Sequence, residues 1–288
     1  MNRYKKTLLT ILTGLLMQTS AGAFSKDIEE KNAQPGEYLA NRFTGRHQLN
    51  HTLILLDIDD TVLTSPAGQW LGSSVMFFGL MDEALQKHPD WSRRQAADYL
   101  DPLLLHIYTK VPMILVDPSL PKAINDLKKR GATVIGMTSR GLITKDVTLW
   151  QLEQCGISFS DTGSRKNTKL PDGRVSLIEN GVVFVSHGNR KGEVLNSLLN
   201  DKAEPFRDIQ HITMIDDQKR HLIDIGETLT EQFYIPVLCT FPDSQPKYNH
   251  TLAVQQLRNI VKQEKDSDSI IKEMMNSDPF TMALMKSG

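Results

Sequence analysis

The sequence predicts an α/β fold in which a central, mainly parallel sheet is covered by helices on both faces. From residue 113 onward, short apolar runs alternate with helical patterns, which is typical of parallel sheets. Three apolar runs, at 51–56, 132–137 and 209–215, are followed by the polar residues Asp57, Thr138 and Asp216. Apolar runs of this length are typical of strands buried on both sides.

Turn and breaker residues separate the predicted elements. Gly131 ends one helix, and Asn180-Gly181 favours the positive φ angles of a tight hairpin turn. The predicted strands are 51–56, 132–137, 175–178, 182–185, 209–215 and 233–240. The predicted helices are 119–130, 145–154, 191–199, 219–229, 251–263 and 268–275.

Residues 65–112 predict a helical insert. Apolar side chains recur at helical spacing in two stretches, which His88-Pro89-Asp90 separates. Such stripes are usually core, so the pattern alone assigns none of them to a ligand. The predicted organisation is a signal peptide at 1–23, a leader at 24–50 with a turn at Gln34-Pro35-Gly36, a catalytic core at 51–64 and 113–250, the insert at 65–112, and a helical tail at 251–288.

The first 23 residues resemble a secretory signal. Three basic residues precede a short apolar run at 7–17, and Ala21-Gly22-Ala23 supplies small residues for cleavage. The run is short for a membrane span, with an uncleaved anchor as the alternative. We therefore expect a bacterial protein exported to the periplasm or beyond, with no stable membrane span in its mature form.

The composition predicts an ordinary globular protein. The 288 residues are 40% hydrophobic and 23% charged. Removal of 1–23 leaves 30 of the 33 basic residues against 34 acidic ones, and this charge balance gives no indication of nucleic-acid binding. Export would permit a disulfide between Cys155 and Cys239, and two buried free thiols are the alternative.

Asp57 and Asp59 suggest phosphoryl-transfer chemistry. Asp57 can attack phosphorus and divide hydrolysis into formation and breakdown of an aspartyl phosphate. Asp59 can protonate the leaving oxygen and later activate water. Read alone, the same residues are also compatible with a solvated turn or a helix cap.

Asp216 and Asp217 add two adjacent carboxylates, which are costly unless a cation neutralises them. Mg²⁺ prefers oxygen ligands and commonly takes one or two carboxylates. The predicted ligands are the side chains of Asp57 and Asp216 and the backbone carbonyl of Asp59. Asp217 would orient a bound water or stabilise the turn.

Thr138, Ser139 and Lys191 are the predicted phosphate-binding residues. Thr138 offers a hydroxyl at a strand end, and Lys191 offers a cation at the start of a helix. Arg190 is adjacent to Lys191, so the position of the cation stays ambiguous. Weaker rivals in a predicted loop are Arg165, Lys166 and Lys169.

Four ordered segments resemble the motifs of the haloacid dehalogenase (HAD) superfamily. They are Leu-Leu-Asp57-Ile-Asp59-Asp-Thr61, Gly-Met-Thr138-Ser-Arg, Asn-Arg-Lys191-Gly-Glu and Met-Ile-Asp216-Asp217. The resemblance covers about residues 51–242 and implies a three-layer Rossmann-like HAD fold, Mg²⁺, an Asp57 nucleophile and an Asp59 acid/base. It also implies that 65–112 is a cap over the site. The first motif resembles class B acid phosphatases as well, whereas the insert and Met-Thr138-Ser-Arg140 are more similar to exported bacterial HAD-like proteins.

These observations predict a secreted, Mg²⁺-dependent phosphatase that hydrolyses phosphate monoesters through an aspartyl phosphate. The predicted partner is a phosphorylated small molecule or phosphopeptide, and the oligomeric state is not indicated. The alternative is a secreted interaction or effector protein on a HAD scaffold with little turnover. Aromatic residues of the insert could form a leaving-group pocket or simply its core: Trp70, Phe77, Phe78 and Trp91.

Overall fold

The computed structural model of the chain describes residues 28–32, 34–68, 71–163, 166–170, 173–202, 204–240 and 248–262. Four features discussed above lie outside these residues: the predicted signal at 1–23, the predicted helix at 268–275, Trp70 and Arg165.

A central sheet organises the described part of the chain. Its strands are β1 (Glu29–Asn32), β2 (Thr52–Leu56), β5 (Thr133–Thr138), β6 (Lys166–Lys169), β7 (Val175–Glu179), β8 (Val182–Phe184), β9 (His211–Asp216) and β10 (Phe233–Thr240), and a separate pair is formed by β3 (Leu63–Thr64) and β4 (Ile114–Leu115). The sheet order is β1-β10-β9-β2-β5-β8-β7-β6. Neighbours are parallel from β1 to β8, and β7 and β6 continue the sheet antiparallel.

Helices cover both faces of this sheet. The described helices are α1 (Pro35–Arg42), α2 (Ser74–Lys87), α3 (Arg93–Lys110), α4 (Leu120–Lys129), α5 (Lys145–Gln154), α6 (Lys191–Asn200), α7 (Lys219–Thr228) and α8 (His250–Lys262). Ile54 and Leu56 of β2 face a core shared with α1, α4 and α5, and Leu53 and Leu55 face a core shared with α6 and α7. Alternate side chains of one strand thus feed two apolar layers. The predicted α/β fold with helices on both faces is confirmed.

The register of the sheet brings three predicted site residues to one edge. β2 lies between β9 and β5, and Leu56 pairs with Ile215 on one side and Gly136 on the other. The three strands are parallel, so their carboxyl ends meet at the same edge. Asp57, Thr138 and Asp216 therefore emerge from adjacent strands.

Residues 65–113 leave and re-enter the core at one place. Leu63 and Thr64 pair antiparallel with Leu115 and Ile114, which closes the base of the insert. Its two predicted helices are present. α2 begins after Ser73, whose side chain accepts a hydrogen bond from Met76 N, and α3 begins with a capping box.

The segment predicted as a leader differs from expectation. Glu29–Asn32 form an edge strand parallel to β10, and the predicted turn at Gln34–Gly36 is instead the start of α1, with Pro35 in its first turn. The polar sequence Glu-Glu-Lys-Asn lacks the apolar alternation of a strand. At a sheet edge, backbone pairing is sufficient, so the pattern gave no signal.

Helix α8, the last one that the structure describes, completes the core of the insert. Ala253, Val254 and Leu257 are buried in one cluster with side chains of α2 and α3. Gln256 adds polar contacts, because its Oε1 accepts from Leu71 N at 3.1 Å and its Nε2 donates to Gly68 O at 2.8 Å. The insert is therefore built from two distant parts of the chain.

Smaller predictions are also settled. The hairpin β7–β8 turns at Asn180 and Gly181, which both have positive φ as predicted. Cys155 and Cys239 are free thiols, the first half-buried and the second buried, so no disulfide joins them.

We expect Gly79→Ala in α2 to destabilise the protein, because a Cβ at this position would overlap the ring of Tyr248. The cost should be about 1–3 kcal/mol of unfolding free energy, measured in urea. In a Tyr248→Ala background the same change should stabilise by up to about 1 kcal/mol, since alanine is the better helix former. Equal effects in both backgrounds would contradict the packing of Tyr248 against α2.

Candidate active site

A buried lysine lies between two carboxylates at the edge of the sheet. Lys191 Nζ donates to Asp57 Oδ1 and to Asp216 Oδ2, both at 2.7 Å. The three residues are 2%, 5% and 0% exposed. Arg190, the sequence alternative, turns outward and pairs with Asp224. Lys191 is therefore the cation at this site.

The turn after β2 brings Asp59 to the same edge as Asp57. Asp60 adopts a positive φ of 57°, which aspartate tolerates better than most residues. Asp60 N donates to Leu63 O at 2.8 Å, and Thr64 Oγ1 donates to Asp60 Oδ1 at 3.0 Å. This tight turn fixes the loop that carries both candidate carboxylates.

Burial and the neighbouring charges together set the pKa values of Asp57, Asp216 and Lys191. It raises the pKa of Asp57 to about 7, although Lys191 acts in the opposite direction. Burial would also raise the pKa of Asp216, but the charges and hydrogen bonds of Lys191 and His221 outweigh it and lower that pKa. Burial would lower the pKa of Lys191, but Asp216 and Asp57 raise it. Lys191 therefore stays charged, and Asp216 is its better-stabilised partner.

Asp217 adds a further carboxyl group to the site. Burial raises its pKa to about 9, and the charges of Asp57, Asp216 and Asp60 add to this effect. Its Oδ2 accepts a 3.2 Å hydrogen bond from Gln218 Nε2. This edge of the sheet therefore holds more carboxylates than Lys191 can neutralise.

Arg140, which the sequence indicates only as part of a motif, binds Asp59. Arg140 Nε lies 3.2 and 3.1 Å from the two carboxylate oxygens of Asp59, and Nη2 lies 2.7 Å from Oδ1. Two parallel donors on one carboxylate form a bidentate ion pair. The guanidinium is almost fully buried, whereas the Asp59 side chain is 24% exposed.

The two hydroxyl residues after β5 differ in accessibility. Thr138 is fully buried, and its Oγ1 accepts a 3.1 Å hydrogen bond from Arg140 N. Ser139 lines the cavity above. Thr138 thus stabilises the turn beneath the site, and Ser139 forms part of the cavity wall.

The cavity lies between the edge of the sheet and the insert. Asp57, Asp59 and Asp217 line its floor, whereas Lys191 and Asp216 lie beneath them. Side chains of the insert that contribute to the wall are Ser74, Phe77, Phe78, Asp101, Leu104 and Tyr108. The insert therefore covers the candidate site.

The aromatic residues proposed from the sequence separate into two groups. Phe77 and Phe78 line the cavity, where Phe78 lies 5.4 Å from the guanidinium of Arg220. Trp91 instead stacks on His88 at a centroid distance of 3.8 Å and packs against Tyr99. Trp91 is thus part of the packing of the insert.

A second polar contact joins the insert to the core. His187 Nε2 lies 2.7 Å from Asp101 Oδ1, a hydrogen bond between the loop after β8 and helix α3. Both residues line the cavity. This bond connects the core wall of the cavity to the wall that the insert provides.

The donor set can hold a metal ion. Among the described residues, Asp57, Asp216 and His221 each offer a ligand atom, and these atoms lie within 4.8 Å of one another. Among the side-chain hydrogen bonds of the described residues, Asp57 accepts one through Oδ1 and none through Oδ2. His221 Nδ1 lies 3.2 Å from both Asp216 oxygens. A second group, at Asp98, Asp101 and His187, lies at the rim.

Several residues of this site were not found from the sequence. His221 lies in the first turn of α7, one turn after Asp216-Asp217, so helical spacing could have placed it near the strand end. Arg140 follows Thr138 by two residues, but nothing local indicates that Asp59 is its partner. Asp101 and His187 meet only through the docking of the insert, which no sequence pattern encodes.

Comparison with known proteins places the chain in a family. A model described as "Protein of unknown function (DUF2608)" matches residues 36–240. The chain belongs to the DUF2608 family. The matched region contains the whole central site and the insert, but stops before α8.

Two other proteins are similar to this DUF2608 chain. A "Putative outer membrane protein" of Chlamydia pneumoniae is 28% identical over 174 residues, and the match spans 60% of this chain and 63% of that protein. The HAD domain of effector protein Lem4 from Legionella pneumophila aligns over 82% of this chain and 99% of that domain, with 10% identity and a TM-score of 0.29. A TM-score this low does not establish a common fold. In the part of the chain that the structure describes, every helix is too short or too polar to cross a bilayer.

We expect the metal-free protein to lose stability as the pH rises. The pKa of Asp57 lies at about 7 in the folded protein against an ordinary value of 3.8, and that of Asp217 lies at about 9. Stability linked to their protonated forms is complete below pH 3.8 and is lost as the pH rises through these folded values. In EDTA, Asp217→Asn should therefore raise Tm by roughly 2–6 °C at pH 8, and by less at pH 5.

Asp90→Asn is the matched control for this experiment, because Asp90 is exposed and distant in sequence from the site. Thermal unfolding should show no comparable gain for that variant. A loss of stability in Asp217→Asn at pH 8 would contradict the excess of negative charge.

Proposed function

We propose that the protein is an exported, Mg²⁺-dependent phosphatase of the HAD type, which hydrolyses phosphate monoesters through an aspartyl phosphate on Asp57. The observation that carries the proposal is the buried contact of Lys191 with Asp57 and Asp216 beneath a cavity that the insert covers. A buried lysine between two carboxylates at the floor of a covered cavity supports phosphoryl transfer at Asp57.

Asp57 is the proposed nucleophile. Its Oδ2 attacks phosphorus, and the bond from phosphorus to the ester oxygen breaks. Asp59 enters this step as the carboxylic acid, gives its proton to the leaving oxygen, and becomes the carboxylate that Arg140 binds. Water then attacks phosphorus and gives its proton to Asp59. This second step releases inorganic phosphate and restores the Asp57 carboxylate.

Lys191, Thr138 and Ser139 serve the phosphoryl group. Lys191 keeps its charge next to Asp57 and reduces the repulsion between the nucleophile and a phosphate dianion. Two of its three N–H donors are used by Asp57 and Asp216, and the third can reach a phosphate oxygen. Ser139 lines the cavity and supplies a hydroxyl donor, and Thr138 holds the turn below.

Asp57, Asp216 and the backbone carbonyl of Asp59 would hold Mg²⁺. The excess of carboxylates and the raised pKa values of Asp57 and Asp217 fit a divalent cation at this position. When bound, the ion would shield the nucleophile and polarise the phosphoryl oxygens. Mg²⁺ prefers oxygen ligands, so His221 orients Asp216 through Nδ1 and does not bind the ion.

The insert would act as a cap that shapes the leaving-group side of the site. Phe77 and Phe78 present aromatic surface to the cavity, which favours an apolar portion in the leaving group. Arg220 at the same wall is exposed and lacks a carboxylate partner within the described residues. It would favour a substrate with negative charge near this apolar portion.

Export is part of the proposal. The signal-like residues 1–23 support it, and the printed name of the Chlamydia pneumoniae relative refers to the cell envelope. An exported interaction or effector protein with little turnover remains the competing function. Turnover distinguishes the two.

We expect purified protein lacking residues 1–23 to release p-nitrophenol from p-nitrophenyl phosphate in Mg²⁺ and to stop in EDTA. Asp57→Asn, which keeps the shape but removes the nucleophile, should lower kcat at least about a thousandfold. Asp90→Asn is the control with an exposed carboxylate and should retain full activity. Wild-type turnover no faster than that of Asp57→Asn over a broad substrate panel would favour the interaction protein.

Phe78→Ala tests the leaving-group wall. Loss of this aromatic contact should reduce kcat/KM for aryl phosphates by about tenfold and leave small alkyl phosphates nearly unchanged. Trp91→Ala is the matched control, because Trp91 packs within the insert and does not line the cavity. Equal losses for both ester classes, or equal selectivity changes in both variants, would rule out this wall as a specificity element.

A further inference from the structure

We infer that Arg140 is a positioning residue that sets the pose of Asp59 for proton transfer to the leaving group and couples this pose to the seating of the insert. The inference rests on the proposed phosphatase function and extends it to Arg140, to which the motif resemblance assigns no role. The supporting observations are the contacts of the Arg140 guanidinium with Asp59, with α5 and with the insert.

The first side faces Asp59. Nε and Nη2 of Arg140 bind its carboxylate in a bidentate pair, with the shortest contact at 2.7 Å. A planar fork on a planar carboxylate fixes both position and rotation of that group. Asp59 is thereby held at the floor of the cavity, two residues from the proposed nucleophile.

The second side faces α5. Arg140 Nη1 donates to Thr148 Oγ1 and to Gln151 Oε1, both at 2.9 Å. Thr148 Oγ1 in turn donates to Thr144 O at 2.8 Å. All three nitrogens of the guanidinium are thus bonded, so it cannot rotate without breaking several hydrogen bonds at a buried place.

The third side faces the insert. The guanidinium lies 4.1 Å from the ring centroid of Tyr108 in α3, and Gln151 Nε2 donates to Tyr108 O at 2.8 Å. The next residue, Gly141, approaches Asp101 of α3 so closely that a Cβ would collide with its carboxylate. Helix α3 therefore packs against Arg140 and Gly141. The orientation of the Asp59 carboxylate thus depends on the position of the insert relative to the core.

Two simpler roles make different predictions. A purely structural arginine would affect stability and all substrates alike. A direct phosphate ligand would alter KM for every phosphate ester and the inhibition by inorganic phosphate. A residue that positions the proton donor affects esters in proportion to their need for protonation of the leaving oxygen.

The experiment measures kcat/KM for alkyl phosphates and for p-nitrophenyl phosphate in the Mg²⁺-loaded protein. This parameter includes departure of the leaving group, and p-nitrophenolate leaves without a proton. Arg140→Lys should lower kcat/KM for alkyl esters by about 10²-fold or more and for p-nitrophenyl phosphate by less than about tenfold. Asp59→Asn should show the same selectivity, and the double variant should be no worse than Asp59→Asn alone.

Thr148→Val keeps Arg140 and removes one of its anchors on α5. This variant should show a weaker form of the same selectivity, and it keeps the test open if Arg140→Lys folds poorly. Arg207→Lys is the control, because Arg207 is exposed and pairs with Glu204. Added guanidinium chloride at millimolar concentration should restore alkyl-ester turnover in Arg140→Ala.

Equal losses for both ester classes, or additive losses in the double variant, would overturn the positioning role and leave the phosphatase standing. Wild-type protein with no more turnover than Asp57→Asn would overturn the phosphatase, and this inference with it. The two failures are distinguishable, since the first appears in a ratio of substrates and the second in the wild-type rate.

Discussion

The position of one ammonium group constrains the rest of the site. Lys191 is buried, and such a charge is tolerated only with partners of opposite sign at hydrogen-bond distance. Asp57 and Asp216 supply them from adjacent strands, and α6 must begin at the right place to deliver the lysine. The strand order β9-β2-β5 and the position at which α6 begins therefore depend on each other. A shift of either would leave buried charges without a partner of opposite sign.

The insert is the second organising feature. Its helices provide one wall of the cavity. Tyr108 contacts Arg140, which binds Asp59, and Asp101 bonds to His187 of the core. The insert makes polar contacts with residues that bind the floor of the cavity. Through these contacts, the position of the insert affects the orientation of the Asp59 carboxylate.

The fold and the central residues could be predicted because they leave periodic signals. Buried parallel strands give unbroken apolar runs, and those of β2 and β9 each end at an acidic residue that the structure brings to the sheet edge. The remaining features depend on long-range contacts. β1 pairs with β10 through its backbone, which any sequence can do, so Glu-Glu-Lys-Asn gave no indication of a strand. Arg140 and Asp59 are 81 positions apart, and no local pattern connects them.

The split composition of the insert has a consequence for the order in which the protein is made. Its first two helices end at Lys110, but the helix that completes their core begins at His250. At about 5–20 residues per second, a ribosome takes on the order of 10 s to cover that distance. During this interval the apolar faces of α2 and α3 lack part of their cover. Factors that bind unfolded chains would shield this surface until α8 is made.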